Sequence, residues 1–154
     1  MRSILVIHHV KGSDREFRLV RQADVKMSDV VTLPDPVAYA PTTEDQPTDL
    51  VDRLRWYLEE FLDYPFHPHT EKAQAVQRDL QAWGAEVFTG LFGSMNRRDW
   101  YTDAVRNGHD GLNLRVSSDD PAILAWPWEA VQDPHVGSLG LHCQIDRKLD
   151  EVRD

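Results

Sequence analysis

Apolar residues recur along this chain with two different periods, and each change of period marks a change of element. Ile4 to Ile7 form a short β-rich run, Lys11-Gly12-Ser13-Asp14 supply turn chemistry, and Phe17 and Leu19 alternate with Arg18 and Arg21. Together they predict an N-terminal β-hairpin. A further short strand is expected at Val30 to Leu33, before Pro34, Pro36, Pro41 and Pro47 interrupt regular structure and mark 34–47 as a linker or wrapped loop.

From Thr48 the period becomes helical. Leu50, Leu54, Leu58 and Phe61 share a stripe, with Asp52, Arg53, Glu59 and Glu60 off it and Thr48 as the expected N-cap. A second helix is predicted from Thr70, with Val76, Leu80, Trp83, Val87 and Leu91 on one face, widened by Phe88 and Phe92 and ended by Gly93. A shorter third is expected over Asp99 to Val105, closed by Asn107-Gly108.

Leu112-Asn113-Leu114-Arg115-Val116 then alternates strictly, which places Leu112, Leu114 and Val116 on one face of a strand. After Ser117 to Asp120, Pro121 suits a first helical position, and Pro127 opens a helical turn carrying Trp128 to Val131 that Asp133-Pro134 breaks. A last strand is expected over Leu139 to Leu149, with Leu141, Cys143 and Ile145 on one side. The predicted class is α/β: a hairpin, two to three amphipathic helices and further strands in a single domain over 1–154, with 48–149 as its α/β region and 150–154 as a charged, mobile tail.

Length and charge narrow the options. A chain of 154 residues builds one core, to which its five tryptophans bring large side chains. A net charge of −9 repels a phosphate backbone, and no basic cluster with interleaved aromatics reverses it, so nucleic acid is a poor partner. Cys143 is the single cysteine, which excludes an internal disulfide and suits a cytoplasmic setting. The opening apolar run stops at His8-His9, too early for a signal peptide, and no stretch is long enough to span a membrane.

One constellation is distinctive in its order: Leu112 to Pro121, then Trp126-Pro127-Trp128-Glu129-Ala130-Val131-Gln132-Asp133-Pro134, then Leu139-Gly140-Leu141 and Ile145-Asp146-Arg147. It resembles the strand, the Pro-Trp-Glu helix and the arginine-ended strand near the start of CHAT domains, bacterial relatives of caspases and separases. Leu54-Arg55-Trp56-Tyr57 and Ala82-Trp83-Gly84 with Phe88 resemble that family's leading helices, so the likeness runs over about Leu50 to Leu149. The resemblance implies a cysteine-peptidase family acting on proteins in bacterial defence or cell death. It also implies a reactive half, with a histidine before glycine and a later cysteine, downstream of the segment seen here. Neither is present before Asp154, so no catalytic residue can be carried over. The implied partner is the remaining protease half, in the same or a separate chain, besides a protein substrate or regulator.

Strand parity places Arg147 on the face of Leu141, Cys143 and Ile145. A guanidinium entering an apolar region needs a carboxylate, and Glu129, in the otherwise apolar setting of Ala125-Trp126-Pro127-Trp128, is its expected partner. The alternative is that both are solvated surface charges. No other dyad is legible: His142 and Cys143 are adjacent and on a strand would point to opposite faces, and Cys143 reads as a small buried hydrophobe. His67-Pro68-His69 and His8-His9 recruit no recognisable third metal ligand, and no cofactor is expected. Trp56, Trp83, Trp126 and Trp128 fit core packing, with Trp100 undetermined. Two functions remain: the non-catalytic leading segment of a caspase-like peptidase, which scaffolds or regulates the reactive half, or a self-contained protein-interaction module.

Overall fold

The computed structural model describes residues 3–36, 50–56 and 69–150. Its centre is a five-stranded mixed sheet in the order β3-β2-β1-β4-β7. β1 (Ser3–His9), β2 (Glu16–Arg21) and β3 (Lys26–Thr32) form an antiparallel meander, so the expected hairpin gains a full third strand that begins four residues before Val30. β4 (Leu112–Ser118) then pairs parallel to β1, with Leu5 opposite Leu114 and Ile7 opposite Val116. β7 (Gln144–Leu149) pairs parallel to β4 on its far side.

The two faces of the sheet are unequal. On one, Leu5, Ile7, Phe17, Leu19, Leu112, Leu114 and Val116 are buried beneath helices. On the other, Ile4, Val6, His8, Arg18 and Val20 are only partly covered, although β1 and β4 are parallel neighbours. Parallel strands are ordinarily covered on both sides.

The cover of the buried face is largely α2 (His69–Phe92), whose Val76, Trp83, Val87 and Leu91 form the predicted stripe. It ends before Gly93, whose φ is not left-handed. Glycine is needed there because a Cβ would strike the Thr89 carbonyl. α1 (Leu50–Trp56) starts where the helical period does, but Arg53 is 1% exposed rather than off the buried stripe. Its guanidinium meets the equally buried Asp79 of α2 at 2.7 Å. The Thr48 cap, Leu58, Phe61, the side chain of Trp56 and most of the proline-rich stretch lie outside the described residues.

α3 (Met95–Ala104) begins four residues before Asp99, because the Ser94 hydroxyl accepts from the Arg97 N–H and caps it. Gly108, at φ +115, makes the turn into β4. α4 (Pro121–Leu124) has Pro121 in its first turn, as read from sequence, and the Asp120 carboxylate caps it by accepting the Ala122 N–H. The tryptophan turn ends at Ala130, before Asp133-Pro134 is reached, and Asp133 belongs to a small hairpin of β5 (Gln132–Asp133) and β6 (Gly137–Ser138) that the sequence did not announce.

The last strand corrects the sequence reading. Leu139–Leu141 is a 3-10 turn, Leu141 is 82% exposed, and β7 begins at Gln144. No strand face of Leu141, Cys143 and Ile145 therefore exists. Glycine is needed at position 140 in this turn, since a Cβ there would come within 2.6 Å of the Glu129 Cβ. Asp150, assigned above to a mobile tail, is anchored: its N–H donates to the Ser118 carbonyl at 2.8 Å and its carboxylate accepts from the Ser117 hydroxyl at 2.5 Å. No helix among the described residues is long and apolar enough to cross a membrane.

Candidate functional site

The Trp-Pro-Trp-Glu segment is where α2, α4 and β7 converge. Pro127 is buried and precedes a 3-10 turn, Trp128–Ala130, in place of the longer helical turn predicted. Trp126 and Trp128 are 3% and 1% exposed and stack with ring centres 5.4 Å apart. Trp83 meets both edge-on at 6.1 and 6.3 Å, and Phe17 of β2 packs against both at 5.6 Å. Such geometry suits aromatic quadrupoles and leaves no ring face free for a ligand. Two of these buried indole N–H groups have a partner: Trp128 donates to the Ile123 carbonyl at 2.9 Å and Trp83 to the Pro34 carbonyl at 2.8 Å.

Glu129 and Arg147 meet as expected, in a two-pronged pairing with one arm at 2.6 Å. Their place differs from the expectation. The side chains are 50% and 31% exposed, so the fork closes over the aromatic cluster instead of lying inside it. Arg147 also donates to the Leu124 carbonyl at 2.6 Å and the Trp126 carbonyl at 3.0 Å. One planar guanidinium thus ties β7 to the end of α4, to Trp126 and to the turn itself, a task that suits arginine rather than lysine. The hydrogen bond to Arg147 holds the Glu129 carboxyl below its ordinary range, and Glu129 raises the guanidinium in return.

Two polar clusters escaped the sequence reading. At the carboxyl ends of β1 and β4, where α/β sheets often place their ligands, His9 Nδ1 and the Ser118 hydroxyl lie 2.8 Å apart, and Ser13 approaches the other ring nitrogen at 3.5 Å. The pair resembles a serine nucleophile and its base. Burial decides against that role, because Ser118 is 0% exposed and its oxygen accepts the Asp120 N–H at 2.9 Å. The contact braces two strand ends. Its signal was available: His9 has the parity of Leu5 and Ile7, so it must enter the core and find a partner there.

At the opposite end, the Tyr101 hydroxyl donates to Asp133 at 2.5 Å, and His109 Nε2 lies 3.0 Å from that hydroxyl and 3.2 Å from the carboxylate. Burial, then the bond to Asp133, raises the phenol far above its usual range. For Asp133 burial opposes ionisation, but Tyr101, the His135 N–H and His109 outweigh it and keep the carboxyl low. No spacing in the sequence joins these three residues. Only the fold does.

Cys143 sits half-buried in the turn before β7, and burial pushes its thiol up to about 11, opposite to what a nucleophile needs. His142 does not serve it as a base, but the reason is not strand parity: its ring lies 2.9 Å from the Val136 carbonyl. His8 and His9 point to opposite faces of β1, His67 and the side chain of His69 fall outside the described residues, and no cluster of metal-ligand residues forms among the described ones. Trp100, undetermined from sequence, is partly buried, with the Arg21 guanidinium over its ring at 5.1 Å. Set against known protein families, curated proteins and solved structures, the chain matches none.

Proposed function

We propose that this chain is the non-catalytic leading segment of a caspase-like cysteine-peptidase domain of the CHAT type, scaffolding or regulating the half that carries the reactive histidine and cysteine. The observation that carries the reading is an open parallel edge. β1, β4 and β7 run parallel, and β7 leaves its outer side unpaired among the described residues while Arg147 fixes its position against the tryptophan turn. A strand held this firmly, with no strand on its outer side among the described residues, is suited to receive a following one. The buried serine and the unactivated thiol agree with a segment that supplies no nucleophile. By resemblance, the substrates are proteins and the setting is bacterial defence or cell death.

Intact-mass analysis of the protein from its native source tests this directly. Translation continuing past Asp154 into a histidine-glycine pair and a later cysteine, or a copurifying second chain with that pattern, supports it. A polypeptide ending at Asp154 and purifying alone removes the peptidase reading. The self-contained interaction module would then stand, since the aromatic core of Trp83, Trp126 and Trp128 is already closed.

A further inference from the structure

Between the second half of α3 and the amino end of β1 lies a cavity of about 370 Å3, lined among the described residues chiefly by Leu5, Arg21, Ala23, Trp100, Asp103 and Ala104. Protein interiors are otherwise close-packed, with few voids larger than a water molecule. Leu5 and Ala104 are 1% and 8% exposed, so the space reaches down to core residues and is more than a surface furrow.

Two features keep it open. Ala104 on α3 and Ala23 in the turn after β2 bring only a methyl group each to the lining. Trp100, the one aromatic ring on that lining among the described residues, is held in place: the Arg21 guanidinium lies over its ring at 5.1 Å. Arg21 is in turn braced by Asp24, which accepts from Nε at 3.0 Å and from Nη2 at 2.7 Å. An indole pinned by a braced guanidinium forms a wall of the cavity.

We propose that this cavity binds an uncharged, flat aromatic molecule of about two fused rings that carries a hydroxyl or carbonyl oxygen. Size sets the first limit: an apolar cavity of about 150 Å3 takes benzene, and the larger space here has room for a second ring. Charge sets the second. Asp24 neutralises Arg21, and Arg106 pairs with Asp103, so the lining offers no unmatched charge to an ionic ligand. Arg21 keeps Nη1, which enters no hydrogen bond among the described residues, as the donor for the ligand's oxygen. The Trp100 ring supplies an aromatic contact for the rest of the molecule. The site shares no residue with the Glu129–Arg147 fork and does not depend on the leading-segment reading.

The test is a titration of the isotope-labelled full chain with 2-naphthol, followed by nuclear magnetic resonance. The expected result is a submillimolar dissociation constant, with shifts centred on the Trp100 indole N–H and the amides of Ala23 and Ala104. The 2-naphthoate anion, of similar shape, is expected to bind about tenfold more weakly. Arg21→Met, which removes both the donor and the brace on Trp100, should weaken 2-naphthol about tenfold. Ala104→Leu fills the space from below and should abolish the shifts; Ala23→Leu, at an exposed position, fills it from the rim should the first variant fail to fold. Thermal melts establish folding for each. Absence of shifts at the Trp100 indole with about 1 mM 2-naphthol, or unchanged binding in a folded leucine variant, overturns the site. Naphthoate binding as tightly as naphthol overturns the assigned ligand class.

Discussion

Gly84, midway along α2, lies against the backbone carbonyl of Ala130 so closely that a Cβ at position 84 would occupy the carbonyl's space. A helix interior ordinarily prefers alanine to glycine by about 1 kcal/mol. This contact reverses the preference, because retreat of either α2 or the tryptophan turn would pull Trp83 off the Trp126 and Trp128 rings that it meets edge-on. Gly84→Ala is expected to lower stability by about 3 kcal/mol. Urea denaturation followed by tryptophan fluorescence measures it, and an unchanged midpoint would show that the two elements can separate freely.

The Arg53–Asp79 pair, 1% and 0% exposed, predicts an asymmetric response. Asp79→Asn leaves a guanidinium buried without its counter-charge and is expected to cost about 3 to 5 kcal/mol. Replacing both partners together, as Arg53→Met with Asp79→Leu, is expected to change stability by about 1 kcal/mol or less. Denaturant midpoints for the single and double variants decide this. Equal losses in the two would mean that the charges themselves stabilise the fold.

Acidification should loosen the fork over the tryptophan turn. Arg147 lowers the folded-state pKa of Glu129, so the associated stability is fully present above the ordinary carboxylate value and disappears as pH falls through the lowered one. Both side chains are partly in water, which limits the ion pair to about 0.5 to 1 kcal/mol. Arg147→Lys should therefore melt lower at neutral pH, and the gap should narrow below about pH 4, the ordinary range of a glutamate. A gap independent of pH would assign the whole effect to the carbonyl contacts.

The thiol of Cys143, raised from 9.0 to about 11, should resist modification in the native state. Relative to an unperturbed cysteine its thiolate fraction near pH 8 is smaller by about a hundredfold, and disulfide-exchange reagents react with the thiolate. A colorimetric thiol assay on native and urea-unfolded protein should show slow, then rapid, labelling. Fast native labelling would place the sulfur in water.

Much of the scaffold was legible because its signals are local. The parity of Leu112, Leu114 and Val116, the helical stripe through Trp83 and Leu91, and Pro121 after Asp120 each fix their element within a few residues. The failures came where a tertiary contact overrides a local pattern. Leu141, Cys143 and Ile145 alternate like a strand, yet Leu139–Leu141 forms a 3-10 turn in which Gly140 packs against Glu129 with no room for a side chain. Arg53 looks like a surface charge until Asp79 arrives from another helix. The Glu129–Arg147 contact was inferred because a guanidinium beside apolar residues demands a carboxylate. Its exposure was not, since depth depends on β7 being an edge.

The pairing of β1 with β4 also sets a clock. His9 and Ser118, neighbours in the finished sheet, are 109 residues apart in the chain. At ribosomal speeds of about 5 to 20 residues per second, the N-terminal strands wait on the order of ten seconds for the segment that completes their sheet. For most of that interval, until α2 is complete at Phe92, Leu5, Ile7, Phe17 and Leu19 lack the helix that covers them in the finished fold. A nascent chain in this window presents apolar strand residues that a holding chaperone can bind.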